Sequence, residues 1–290
     1  MNWLYAIILG IVEGITEFLP VSSTGHLTIT EKLMGLHIDS VDVTAFTAII
    51  QVGAIAAAIV YFWKDIARLA VGWFKGLFHA DERGTDYRLG WAVIIGSIPI
   101  GVVGLLFHNV IETTLRSLWV VAGALIVWSL VMWVADRHSS RVSATSPKRA
   151  DNAALRDESQ LTIMDALIIG LTQCLALIPG VSRSGATISA GLFRGIDRMT
   201  ATRWSFFLGI PALTLSGLYQ AARNVSEISA GVGWGPTAVA TVVSFIVAYA
   251  SIAWLLRFVA SNRFTAFVVY RVLAGVAIIA LVATGIVAAV

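Results

Sequence analysis

The chain has 290 residues, 58% of them hydrophobic and only 13% charged, with a mean hydropathy of +0.83. Soluble globular domains carry about 25% charged residues, so this composition excludes one and describes a polytopic membrane protein. The net charge of +3 is small and unevenly placed, which offers nothing to a nucleic-acid partner, and the single cysteine, Cys174, excludes an internal disulfide.

The first ten residues, MNWLYAIILG, have no basic n-region and no small-residue cleavage signal, and read as a mature segment. The first apolar stretch, Trp3–Leu19, stops at Pro20, and a short helical stretch follows over about Ser23–Met34. Three segments then have the roughly 20 apolar residues that cross a bilayer: Ala45–Trp63, Leu89–His108 and Leu118–Ala135. A polar segment, Asp136–Gln160, reads as a flexible cytoplasmic linker. Beyond it, Thr162–Ile178 stops at Pro179–Gly180 and is followed by a short stretch, Ser182–Phe193. Three further spans are Arg203–Ala222, Pro236–Leu256 and Thr265–Ala288. At 1.5 Å per residue the short second pieces reach about 18 Å, too little to cross. Each interrupted region therefore reads as a re-entrant hairpin, 3–35 and 162–194. Irregular backbone at membrane depth is tolerated only where protein buries it or it lines a wet cavity.

The two interrupted regions are alike. With a shift of 160, AIILGIVEGITEFLPVSSTG (Ala6–Gly25) lies over ALIIGLTQCLALIPGVSRSG (Ala166–Gly185) with 6 of 20 positions identical, Ser22/Ser182 and Gly25/Gly185 among them. Glu13 falls over Gln173. Each hairpin precedes three spans, and because three is odd the second half enters the membrane upside down. The expected fold is all-α and polytopic: an inverted-topology repeat of six transmembrane helices plus two re-entrant hairpins, with repeats 1–135 and 161–290 joined by 136–160. This arrangement puts 15 Lys and Arg on one side, in loops near 64–88, 136–160, 194–203 and 257–263, against Lys32, Arg116 and Arg223 on the other. The positive-inside rule makes the first side cytoplasmic, and both termini and the mouth of the first hairpin external.

Polar groups inside such hairpins are expensive and point to function. Glu13 and Glu17, at i and i+4, share a helix face. Glu13 sits about 15 Å of helix beyond Trp3, near mid-membrane. Two carboxylates there need a cation, an arginine or a shared proton, unless they snorkel to a vestibule or pair structurally. After Pro20 come Ser22, Ser23, Thr24, Gly25 and His26. A serine at a break is, taken alone, best explained as a helix N-cap. A helix N-terminus at mid-depth also aims free N–H groups at a phosphate. His26 has the range to act as acid, base or nucleophile. The second hairpin supplies Gly180, Ser182, Arg183, Ser184, Gly185 and Thr187. Arg183 is the one strong cation in either hairpin turn, with a fork suited to bidentate phosphate binding; the bland alternative is that it only neutralises a glutamate. The pattern is not a Walker A loop, there is no HExxH, and the remaining histidines (His37, His79, His108, His138) lie outside the hairpins. A wet pocket where the two tips meet suits an anionic phosphoryl group more than an alkali ion.

EGITEFLPVSSTGHL (Glu13–Leu27) resembles the glutamate-rich first motif of the undecaprenyl pyrophosphate phosphatases of the bacitracin-resistance type, and PGVSRSGATISAGL (Pro179–Leu192) resembles their second motif. The likeness extends over the whole chain. It implies an integral hydrolase of the bacterial cytoplasmic membrane that removes one phosphate from polyprenyl diphosphate and recycles the lipid carrier for cell-wall synthesis. It also implies a divalent cation, Mg2+ or Ca2+, and a homodimer among the bilayer lipids; Glu13 and Glu17 are expected to hold that cation or to tune the base. The implied functional set is Glu13, Glu17, Ser22, Ser23, Thr24 and His26 with Ser182, Arg183, Ser184 and Thr187, beside Gly25 and Gly185 for close backbone approach. Ser23 is the preferred nucleophile, with His26 or a glutamate taking its proton, and direct attack by His26 is the rival. A transporter or flippase of a phosphorylated polyprenyl lipid is the alternative function, since inverted repeats with broken helices also build transporters.

Overall fold

The computed structural model describes residues 1–38, 40–107, 115, 117–145, 155–223 and 225–289, apart from the side chains of 143–145. Its first half contains α1 (Trp3–Thr16), α2 (Ser23–Leu33), α3 (Val41–Tyr61), α4 (Trp63–Phe78), α5 (Thr85–Leu106) and α6 (Leu118–Thr145). The second half contains α7 (Ile163–Gln173), α8 (Arg183–Phe193), α9 (Arg198–Arg223), α10 (Val225–Ala230), α11 (Trp234–Ser261) and α12 (Thr265–Ala283). Among the described residues the only extended pairing is an isolated bridge between Arg156 and Ile196.

Five helices, α3, α5, α6, α11 and α12, are long and apolar enough to cross a membrane. Six long spans are expected from the sequence, and α9 is the one outside this group. Its 26 residues have the length, but Thr200, Thr202, Ser205, Thr214 and Ser216 lower its apolar content. Thr202 and Ser205 are fully buried, so these polar residues face protein rather than lipid. Two loops differ from expectation. The segment 64–88 contains α4, whose exposed Trp63, Val71, Phe74 and Phe78 give it an apolar outer face beside Lys64 and Lys75, the pattern of an interfacial helix. The linker expected over 136–160 begins as helix, because α6 runs on to Thr145. It ends pinned: the Arg156 N–H donates to the Gly195 carbonyl (2.8 Å) and the Asp197 N–H to that of Arg156 (3.0 Å). Asp165, fully buried, accepts from Arg156 (2.7 Å) and Arg194 (2.8 Å). Residues 146–154 of that linker, and Arg116 with most of the 109–117 loop, lie outside the described residues.

The helices pair crosswise. The arm α1 of the first half packs on α11 of the second, while the arm α7 of the second packs on α5 of the first. Glycine at matching positions permits both contacts. A Cβ on Gly10 would come within 2.6 Å of the Ala240 carbonyl oxygen in α11. One on Gly170, 160 residues later, would overlap the Gly96 carbonyl oxygen in α5. Between apolar helices in lipid, van der Waals contact at small residues is the main attraction, so backbone proximity of this kind is how the halves hold each other. The largest core cluster joins Phe18, Phe62, Phe206 and Phe207 with Trp204, directly behind the place where the two short helices begin.

Candidate active site

Both arms stop where the backbone can no longer stay helical. Pro20 has no N–H to donate and its ring crowds the preceding turn. In the second region Gly180 takes φ +101°, a left-handed conformation that side chains disfavour. Each chain then passes through a serine with positive φ, Ser22 at 77° and Ser182 at 76°, the only non-glycine residues so placed among those described. Such backbone costs about 1–3 kcal/mol and persists only where surroundings enforce it. Here each serine caps its helix. Ser22 Oγ accepts the Gly25 N–H at 3.4 Å, and Ser182 Oγ accepts the Gly185 N–H at 3.2 Å. The capping role expected of these serines is therefore present in both halves.

The two turns are joined directly. Ser22 Oγ also accepts the Gly180 N–H (3.2 Å), and Ser184 Oγ donates to the Leu19 carbonyl (3.1 Å). Behind them stands Arg271, in the middle of α12 and 0% exposed. Its guanidinium donates to the carbonyls of Pro20 (3.1 Å), Gly180 (2.9 Å), Val181 (3.1 Å) and Leu125 (3.4 Å) and to Ser129 Oγ (3.1 Å). One side chain thus ties both broken turns to α6. Reasoning on the hairpin motifs alone passes over it. The signal was available, since an arginine inside an apolar helix is expensive in lipid and marks a special role.

Around this clasp several of the candidate side chains converge. Ser23, the first residue of α2, donates its hydroxyl hydrogen to Glu17 Oε2 at 2.6 Å. Arg183, the first residue of α8, donates to Glu17 Oε1 at 3.4 Å and to the Ser205 carbonyl at 2.8 Å. Its guanidinium lies 5.8 Å from the centre of the Phe18 ring. Gly209 in α9 makes the room: a Cβ there would collide with the Arg183 guanidinium. Gln51 in α3, a further residue outside the motifs, donates to Glu17 Oε2 at 3.4 Å. Glu17 is therefore a buried carboxylate with a hydroxyl, an amide and a guanidinium on it. Glu13, one turn earlier, is 1% exposed, and neither of its carboxylate oxygens has a hydrogen-bond partner.

Other expected site residues are placed differently. His26 makes no hydrogen bond to Ser23. Its Nδ1 lies 2.8 Å from the Ser22 carbonyl and its Nε2 2.7 Å from the Tyr270 hydroxyl. Of the two candidate proton acceptors for Ser23, only the glutamate is in contact. The physical reason is helical: the imidazole folds back on the turn it follows, and α12 supplies a partner on its far side. Thr24 is exposed. Ser182 and Ser184 pair through their hydroxyls at 3.1 Å, and Thr187 Oγ1 donates back to the Arg183 carbonyl (2.9 Å) along its own helix. These three are satisfied within the buried second turn rather than facing an opening.

A cation site was expected at Glu13 and Glu17. Among the described residues no group of three His, Cys, Asp or Glu side chains is arranged to hold a metal. The donor chemistry of the glutamate pair nevertheless fits a hard divalent ion: two buried carboxylate oxygens on Glu13 lack any donor, and oxygen ligands suit such ions.

A membrane protein whose two interrupted helices bring serine, glutamate and arginine together is a candidate for phosphoryl chemistry. The family model for the bacitracin resistance protein BacA matches residues 6–277, and the chain belongs to that family. It is 60% identical over the full length of both chains to the undecaprenyl-diphosphatase of Cutibacterium acnes. It is 55% identical over the full length of both to undecaprenyl-diphosphatase 3 of Frankia casuarinae, and 48% identical, again full length, to the undecaprenyl-diphosphatase of Mycolicibacterium smegmatis.

Proposed function

We propose that this protein is a membrane hydrolase that converts undecaprenyl diphosphate to undecaprenyl phosphate and phosphate, recycling the lipid carrier of cell-wall synthesis and conferring bacitracin resistance. The observation that carries this reading is the contact of Ser23, Glu17 and Arg183 where the two turns meet. Ser23 Oγ attacks the terminal phosphorus while its proton passes to Glu17 Oε2, and the bond from that phosphorus to the bridging oxygen breaks. Undecaprenyl phosphate leaves with the bridging oxygen and takes the proton from Glu17. Water then cleaves the phosphoserine: Glu17 takes a proton from the attacking water and returns it to Ser23 Oγ as the bond from phosphorus to Oγ breaks, so that phosphate is released and the Ser23 hydroxyl restored. Arg183, held by the Ser205 carbonyl and freed from Glu17 as the substrate arrives, turns its fork to the phosphoryl oxygens. Glu13 and Glu17 would hold the divalent cation, Mg2+ or Ca2+, which neutralises diphosphate charge when bound.

The crosswise helix pairing, the matching glycines and the twin positive-φ serines support reading the chain as an inverted repeat, with α9 as a sixth span and α1–α2 and α7–α8 as re-entrant hairpins. The basic side then faces the cytoplasm of a bacterial inner membrane, the termini and the first turn face outward where the diphosphate is released, and exposed apolar helix faces suit a homodimer as well as lipid. The test is phosphate release from polyprenyl diphosphate by the purified protein in detergent, with and without chelator. Release by the native chain, lost in Glu17→Ala and Arg183→Ala, is expected. Equal release by all three would overturn the site.

A further inference from the structure

His26 and Tyr270 form a polar pair to which the reaction just described gives no work. Their rings stack with centroids 5.5 Å apart and planes 12° from parallel, and Nε2 and the phenol oxygen are 2.7 Å apart. A carbonyl oxygen only accepts, so the 2.8 Å contact with Ser22 puts a hydrogen on Nδ1. Nε2 of the neutral ring then accepts the Tyr270 O–H. Tyr270 cannot drift along its helix, because its neighbour Arg271 is fixed by four carbonyls of the two turns and α6.

Exposure places this pair at the rim. Glu17 and the Arg183 side chain are buried, Ser23 and His26 are half-buried, and Tyr270 is 47% exposed on a helix that presents Val269 and Leu273 outward. A lipid diphosphate is ordered in the same way. Its terminal phosphate must reach Ser23, while the other phosphate stays joined to a chain that remains in the bilayer. In the second turn the hydroxyls of Ser182, Ser184 and Thr187 are buried and engaged with one another and with backbone, and the proposed reaction gives Arg183 to the terminal phosphate. His26 stands three residues after Ser23, one turn along the same face, about 5–6 Å between Cβ atoms.

We propose that His26 and Tyr270 form the subsite for the phosphate that stays on the lipid. This rests on the phosphatase reading. The phenol donates to that phosphate by rotating its O–H away from Nε2, and the stacked imidazole holds the phenol ring in place. Tyr270 is then a binding residue that selects a phosphate attached to a chain over free phosphate.

The experiment measures inhibition constants of two product-like inhibitors, polyprenyl monophosphate and inorganic phosphate, against hydrolysis of polyprenyl diphosphate in detergent. Tyr270→Phe keeps the stacked ring and removes only the hydroxyl. The expected result is an inhibition constant for the lipid monophosphate raised about tenfold, the loss of one hydrogen bond to a charged group, with that for inorganic phosphate unchanged. His26→Asn should shift the same constant in the same direction. Both constants unmoved, both moved together, or only the inorganic one moved would overturn the subsite. A native chain that releases no phosphate from the lipid diphosphate would instead overturn the proposed function. The thermal midpoint of each variant separates a folding loss from a binding loss.

Discussion

The two broken turns begin alike and end differently. Ser22 and Ser182 share their positive φ, and each caps its own helix. The positions that follow diverge in chemistry: Ser23 in the first turn corresponds to Arg183 in the second, Thr24 to Ser184, and His26 to Ala186. Their surroundings diverge too. Every residue of α8 from Ser184 to Leu192 is buried, whereas α2 is mostly half-buried and exposes Thr24. On the proposed reading the first turn is the reactive face and the second a buried plug that presents one cation to it. The two turns share a backbone scaffold, and unequal side chains around them place a hydroxyl, a carboxylate and a guanidinium at one point.

The largest effect should come from exchanging the residues at which the halves differ most. Ser23→Ala is expected to lower turnover by at least about 10³-fold, the scale of losing a nucleophile or a principal charge-stabilising group. Arg183→Lys keeps the charge without the fork, and a fall of about 10²-fold is expected. Ser182→Ala, at the equivalent of the capping Ser22, should cost stability of about 1 kcal/mol with turnover little changed. Phosphate release and a thermal unfolding midpoint on the same preparations check all three. Turnover as low in Ser182→Ala as in Ser23→Ala would break the division into reactive face and plug.

The next effect concerns what keeps the turns together. Arg271→Met leaves buried carbonyls of Pro20, Gly180 and Val181 without their donor, and each unsatisfied buried group costs about 1–3 kcal/mol. A destabilisation of at least about 3 kcal/mol is expected, read as a lowered thermal midpoint in detergent. Arg271 also shows where sequence reasoning stops. Glu17, Ser23 and Arg183 were legible because polar groups beside Pro20 and Gly180 stand out within apolar stretches. Arg271 and Gln51 stand out by the same logic but lie in regular spans, and nothing in their immediate sequence says which turn they reach. That His26 faces Tyr270 instead of Ser23 was equally hidden, since the spacing that places His26 on the serine's face does not say which way the ring turns. The helix α9 was expected as a sixth span from its length and flanks, and it stands outside the five helices apolar enough to cross. Of the polar residues that keep α9 out of the apolar group, Thr200, Thr202 and Ser205 are buried, and the backbone carbonyl of Ser205 holds Arg183. The helix α4 was missed because a charged amphipathic segment between two spans reads as a loop when only spanning length is sought.

A smaller effect tests the reach of the plug's cation. Gly209→Ala puts a methyl group where the Arg183 guanidinium lies and leaves the Ser23–Glu17 hydrogen bond in place. Displacement of about 1 Å in a catalytic group can cost on the order of 10²-fold, so turnover should fall between about 10- and 100-fold with little change in thermal midpoint. Normal turnover in Gly209→Ala would mean that Arg183 does not act from its observed position.

The smallest expected effect falls on Thr187, which sequence reasoning assigned to substrate. Its hydroxyl donates to the Arg183 carbonyl at 2.9 Å and approaches that of Ser184 at 3.3 Å, both in its own helix. Helix carbonyls at these positions already accept backbone N–H groups, so Thr187→Val should leave no acceptor stranded and cost about 1 kcal/mol or less. Turnover should stay within about threefold, because Val preserves the branched shape in a fully buried place. A tenfold loss at unchanged stability would show that the hydroxyl turns from its helix to the phosphate during the reaction. The second turn would then be an active partner of the first rather than its support.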